Sequence, residues 1–90
     1  MKSLINRYVH IRFANPAGLV EPGRTRADLV DHVDGVLVGV EDGFVRIDAD
    51  VVYIRRERDG KMYTEAVKHR CTLAHPAKYI ASIITSERAA

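Results

Sequence analysis

One cysteine, Cys71, is all that the chain holds, so no internal disulfide can staple the fold, and a lone thiol suits a reducing compartment. The cytoplasm is the expected location. No apolar run approaches the roughly 18 residues that a membrane span requires, and the start, Met1-Lys2-Ser3-Leu4-Ile5-Asn6-Arg7, lacks the apolar stretch of a secretory leader. Neither Gly-x-x-x-x-Gly-Lys nor Gly-x-Gly-x-x-Gly occurs, and the glycines fall at turns, which argues against nucleotide hydrolysis. Gly-x-Ser-x-Gly is missing too, and nothing in the sequence locates an oxyanion hole. With 90 residues, the chain reads as a single domain over 1–90 with a thin core.

What the chain does have is two Asp-Gly corners. Asp-Gly accepts the positive φ angles of a two-residue hairpin turn. A tight loop at Asp42-Gly43 pairs Val40 with Val45, Val38 with Ile47 and Val36 with Ala49, all on one face. Leu37, Gly39 and Glu41 then face Phe44, Arg46 and Asp48 on the other, giving a ribbon half buried and half wet. The second corner, Asp59-Gly60, pairs Glu57 with Met62, Arg56 with Tyr63, Arg55 with Thr64, Ile54 with Glu65, Tyr53 with Ala66 and Val52 with Val67. Between the hairpins, Asp48-Ala49-Asp50 either turns or bends the chain.

Around these hairpins the remaining elements follow from pattern. Arg7 to Ala14 alternates, with Val9, Ile11 and Phe13 on one side, which predicts a strand; Leu4, Ile5, Tyr8 and Val9 also fit one helical face. Asn15-Pro16-Ala17-Gly18 and Glu21-Pro22-Gly23-Arg24 are turn sequences, so 15–24 reads as an exposed loop. Thr25-Arg26-Ala27-Asp28 has capping-box spacing, and Leu29, Val30 and Val33 form one apolar stripe, which predicts a short helix through Val33 with Gly35 just past its end. His75-Pro76 interrupts the chain after Cys71-Thr72-Leu73-Ala74. Residues 78–85 fit a helix or a strand, and their β-branched content favours the strand. Ser86 to Ala90 should fray. A short helix, two hairpins, a proline-marked turn and a closing strand resemble small five-stranded barrels of the SH3-like and Sm-like kind. The expected fold is therefore mainly β, such a barrel or a bent antiparallel sheet with one short helix.

Charge is segregated along the chain. Residues 1–26 carry net +4, residues 27–50 net −6 and residues 51–90 net +4. Such blocks either give a bipolar surface or fold together and neutralise.

The candidates for chemistry are few. His69, Cys71 and His75 offer three metal donors, but a structural zinc site wants four, usually as two spaced pairs, so neither metal nor cofactor is expected. Cys71 has histidines nearby in sequence, yet a lone cysteine is commonly a small buried apolar residue. Asp28, Asp31 and Asp34, three apart, would line one helical face as a solvated or partner-facing stripe. The most developed surface is basic with interleaved aromatics: Arg55, Arg56, Arg58 and Lys61 gather at the second hairpin tip with Tyr53 and Tyr63, and Lys68 and Arg70 lie along the return strand. Guanidinium groups neutralise phosphates and aromatic faces stack on bases. The expectation is a non-enzymatic binding or regulatory protein that offers this hairpin to an anionic partner, single-stranded nucleic acid foremost. The alternative is an adaptor or inhibitor that meets an acidic protein surface and self-associates into a homo-oligomer through its last strand. No membrane partner is expected.

Overall fold

The structure is a computed structural model and describes residues 2–19 and 27–85. Five antiparallel strands form one sheet: β1 (Tyr8–Leu19), β2 (Asp28–Glu41), β3 (Phe44–Arg58), β4 (Lys61–Pro76) and β5 (Ile80–Thr85), in the order β4-β3-β2-β1-β5. Short 3-10 turns, Lys2–Leu4 and Ala77–Tyr79, precede β1 and β5. The fold is thus the bent antiparallel sheet of the expected pair, and it does not close into a barrel, since β4 and β5 are its two unpaired edges. No helix among the described residues is long and apolar enough to cross a membrane.

The bend follows from one contact. In a flat sheet β1 and β4, three positions apart, would be separated by about 14 Å. Yet the Phe13 and His75 rings lie 4.4 Å apart, and His75 Nε2 is 2.9 Å from the Asn15 carbonyl oxygen. The sheet therefore curls until the end of β4 meets β1. A carbonyl oxygen only accepts, so His75 carries its proton on Nε2. The Ala77 N–H donates to the Gly43 carbonyl at 2.8 Å, tying the turn before β5 to the first hairpin.

Inside the curl lie Val9, Ile11 and Phe13 of β1, Val30, Val33 and Leu37 of β2, Val45, Ile47, Ala49, Val52 and Ile54 of β3, and Leu73 of β4. Nine of the larger side chains have essentially no solvent contact, all aliphatic, so dispersion and dehydration of branched side chains hold the sheet in its curled form. The alternation expected for Val9, Ile11 and Phe13 holds, and residues 80–85 form a strand as their β-branching favours.

Both Asp-Gly corners are hairpin turns, with φ of 51° and 78° at Asp42 and Gly43 and 51° and 75° at Asp59 and Gly60. Every pair expected for the second hairpin is present, from Arg58 opposite Lys61 to Val52 opposite Val67. The first hairpin keeps its expected register through Gly39 opposite Arg46 and departs after that. A bulge at Val38 shifts the register, so Leu37 opposes Ile47, Val36 opposes Asp48 and Gly35 opposes Ala49. Leu37 is fully buried and Val38 is 40% exposed, the reverse of strict alternation. Asp50 is a second bulge, bending β3 without interrupting it.

The expected short helix is absent from the described part of its span: residues 28–33 belong to β2. A third bulge, at Asp31, inserts one residue between Val30 and Val33, so both point into the core three positions apart, and that spacing imitates a helical face. Gly35 is not a helix end. It lies inside β2, against the backbone of β3. The expected loop is also shorter at its start, because β1 runs on through Leu19 with an irregularity between Arg12 and Ala17. The turn at Glu21-Pro22-Gly23-Arg24, the Thr25 and Arg26 cap and the tail Ser86 to Ala90 lie outside the described residues.

Candidate functional site

The second hairpin outruns the rest of the sheet. Pairing of β2 with β3 ends at Val30 and Ile54, whereas β3 and β4 stay paired to the Asp59-Gly60 turn, leaving a two-stranded ribbon on which every residue from Glu57 to Ala66 is exposed. Directly opposed residues share a face. Arg56, Arg58, Lys61 and Tyr63 therefore stand together on the side that continues the core face, beyond Ile54. Tyr53, Arg55 and Lys68 belong to the opposite, outer side, and Arg70 lines an open groove of about 570 Å³ with Tyr8, Asp48, Asp50 and Thr72. The eight candidate residues do not form one surface.

Three of them are already engaged: Tyr53 donates its hydroxyl to Asp34, and two arginines meet carboxylates. Arg55 donates twice to Asp31, from Nε at 3.1 Å and Nη2 at 2.6 Å, and Arg56 bridges Glu65 at 3.0 Å and Asp28 at 3.3 Å. Hydrogen bonds to Asp31 and to Glu65 raise the pKa of the respective guanidinium above its already high value, so both stay charged. The acidic and basic blocks thus fold together and neutralise at this point. Among the described residues, Arg58, Lys61, Lys68 and Arg70 have no carboxylate within ion-pair distance. Tyr63, 47% exposed, lies across the ribbon from Arg56. Two uncommitted cations and a tyrosine at the tip give charge for phosphate or carboxylate and an open aromatic face.

The outer face holds a group of side chains that sequence reasoning missed. His10 Nδ1 donates to Asp34 Oδ1, and the Tyr53 hydroxyl donates to Asp34 Oδ2 at 2.9 Å. His32 closes the group, its ring centroid 5.4 Å from those of both His10 and Tyr53. Register explains the gathering: His10 opposes Asp34 across β1 and β2, while Arg12, His32 and Tyr53 form one row across three strands. Burial depresses the His32 pKa below 6.5, and the neighbouring His10 and Arg12 push the same way. A carboxylate that fixes one imidazole nitrogen leaves the other as the chemically available one. The nearest sequence signal is the set of polar residues at alternating positions of β1, which predicts a wet face but not its partners.

The metal and thiol candidates stay apart. His69, Cys71 and His75 recur at alternate positions of β4 and so share a side, but Leu73 intervenes and His75 is buried against Phe13 and Tyr79. Among the described residues no three His, Cys, Asp or Glu side chains converge as a metal site. Burial raises the Cys71 pKa, the opposite of what a nucleophilic thiolate needs. Asp28, Asp31 and Asp34 are not a free acidic stripe, since each is bonded to a residue of another strand. The chain matches no family model, no curated protein and no solved structure.

Proposed function

We propose that this chain is a non-enzymatic cytoplasmic binding protein that grips an anionic partner, single-stranded nucleic acid foremost, with the tip of the β3–β4 ribbon. The observation that carries the reading is the pair Arg58 and Lys61, directly opposed on an exposed ribbon, without carboxylate partners among the described residues and two positions from Tyr63. Arg55 serves the fold at this point, and Arg56 contributes to the field while tied to Glu65. Phosphate contacts make affinity fall with salt, with a slope near −0.7 for each neutralised phosphate of a single strand.

The test is fluorescence anisotropy with a labelled random oligonucleotide between about 50 and about 200 mM salt. Wild type should bind, and replacing both Arg58 and Lys61 by Ala should flatten the slope by roughly one to one and a half. Absence of binding at the lowest salt removes the nucleic-acid reading. An acidic protein surface would use the same two cations.

A second reading, self-association, is favoured by a separate observation. The sheet is open at β4 and β5, and β5 leaves Ile84 60% exposed at one such edge. Unpaired edges offer N–H and C=O groups to another chain. Light scattering after size exclusion tests it: assembly is expected in wild type and its loss in Ile84→Lys, and a monomer at high concentration overturns it.

A further inference from the structure

We propose that the outer face carries a second, separate ligand site, in which Arg12, His32 and Arg55 hold the phosphate group of a small ligand of mononucleotide size. A cavity of about 380 Å³ opens there, lined by Arg12, Asp31, His32, Arg55, Thr64 and Ala81. That volume is within the usual range for small-molecule sites. All five strands contribute, so the cavity spans the width of the sheet.

Three features fit an anion. Arg12 is exposed and has no carboxylate within ion-pair distance among the described residues. Arg55 is held in place by its two bonds to Asp31 through Nε and Nη2, which leaves Nη1 for another acceptor. His32 stands between them, opposed to Arg12 on β1 and to Tyr53 on β3. Beside this trio the His32 and Tyr53 rings lie 5.4 Å apart and tilted by 43°, and the His10 ring stands edge-on to both, at 87° and 79°. A phosphate on the cations with a planar ring against the Tyr53 side of this cluster is the chemistry of a nucleotide.

The charges facing the cavity set its pH response. His10 and Arg12 come from β1, Asp31 and Asp34 from β2, and Tyr53 and Arg55 from β3, while β4 and β5 present only Thr64 and Ala81. With both histidines neutral, two guanidinium groups balance two carboxylates. Protonation of His32 tips the site positive. Burial, and then the charges of His10 and Arg12, oppose that protonation, and a bound anion would offset those charges.

The experiment is an NMR titration of the full chain with sodium sulfate, which stays dianionic across the range, and separately with adenosine monophosphate. Shifts should concentrate at Arg12, His32 and Arg55, adenosine monophosphate should also move Tyr53, and sulfate affinity should fall up to tenfold for each pH unit above the His32 pKa. Arg12→Gln, a surface change that cannot unfold the sheet, should weaken both ligands at least fivefold, and His32→Gln should abolish the pH dependence. The double change of Arg58 and Lys61 to Ala should leave both small ligands bound while oligonucleotide binding weakens and its salt slope flattens, which separates failure of this site from failure of the ribbon. Sulfate binding unchanged in Arg12→Gln, or shifts confined to the ribbon tip, overturns the proposal. Tight sulfate binding that is independent of pH also overturns the role of His32.

Discussion

Gly35→Ala tests the register at the centre of the sheet. Gly35 opposes Val9 on one side and Ala49 on the other, and its backbone is not in the left-handed region, so a side chain is excluded by space alone. An ideal Cβ there would stand 2.1 Å from the Asp48 carbonyl oxygen, 2.7 Å from Ala49 Cα and 2.8 Å from the Asp48 carbonyl carbon. The nearest is more than an ångström inside ordinary contact, which begins near 3.4 Å. All three are backbone atoms at the Asp50 bulge, with no rotamer to yield. Accommodation requires β2 and β3 to separate where the core row of Val9, Gly35 and Ala49 is packed. Overpacking of this kind costs about 3 kcal/mol, the upper end of its usual range. For a domain of this size that lowers Tm by roughly 12–24 °C, a large part of a total stability of about 5–14 kcal/mol. Gly39→Ala is the internal control, because a Cβ at Gly39 meets nothing within 4 Å. Its backbone is also ordinary, so loss of unfolded-state freedom should stabilise by about 0.4–1 kcal/mol. Urea unfolding of both variants gives the answer. Equal midpoints for Gly35→Ala and wild type would mean that β2 and β3 do not approach as described, and the bulge at Asp50 would have to be abandoned.

The bulge at Val38 predicts that Leu37→Ala costs about 2–5 kcal/mol and Val38→Ala under about 0.5 kcal/mol by chemical unfolding; the reverse order would restore strict alternation. Because the folded state depresses the His32 pKa below 6.5, the unfolded chain takes up that proton first. The His32 contribution is therefore complete above the ordinary imidazole range and declines as pH falls through it. Wild type should lose more Tm than His32→Gln between about pH 7.5 and about pH 5.5, and equal losses would refute the shift. Burial raises the Cys71 pKa, so its alkylation by iodoacetamide should be slower than that of an unstructured cysteine peptide at mildly alkaline pH, and a faster reaction would point to an activated thiol.

Legibility in the sequence tracked local rules. The β3–β4 register was readable in full because a two-residue Asp-Gly turn fixes which residues oppose, and no bulge intervenes before the region of Asp50. On β2 the same logic fails at two single residues. Asp31 and Val38 each add one position; Asp31 has no glycine or proline beside it, whereas Gly39 next to Val38 is the kind of in-strand glycine that marks a bulge. Val30 and Val33 consequently looked helical, although their β-branching favours the strand they occupy. The basic tip was legible as a run of arginines. That Arg55 and Arg56 are bonded to Asp31 and Asp28 was not, because the three-residue spacing of those carboxylates imitates a helix face. The outer-face cluster was out of reach for a different reason: His10, His32 and Tyr53 meet only through two strand registers, one of which spans a connection with no pairing signal of its own.

The charge blocks explain why the remaining cations lie where they do. Antiparallel pairing sets the acidic strand β2 between β1 and β3, so Asp28, Asp31 and Asp34 reach Arg56, Arg55 and His10 across strand boundaries. Asp48 accepts from Thr72 at 2.9 Å, and Asp50 accepts from the Tyr8 hydroxyl at 2.6 Å. Five of the seven acids between residues 27 and 50 are thereby bonded to side chains of neighbouring strands, and the other two, Glu41 and Asp42, sit at the first hairpin turn. Exposed pairs of this type contribute little to stability. Their effect is positional, because a one-residue slip of β3 against β2 would bring Arg55 and Arg56 to the wrong faces and leave the carboxylates unpaired. Acids concentrated on an inner strand can neutralise only the cations of adjacent strands within reach. Arg58 and Lys61 lie beyond the last β2 pair, and Lys68 and Arg70 lie on the edge strand. Among the described residues, the far ribbon and the β4 edge therefore keep cations without a carboxylate partner, as Arg12 does on the outer face, and a partner can approach them without first displacing an internal carboxylate.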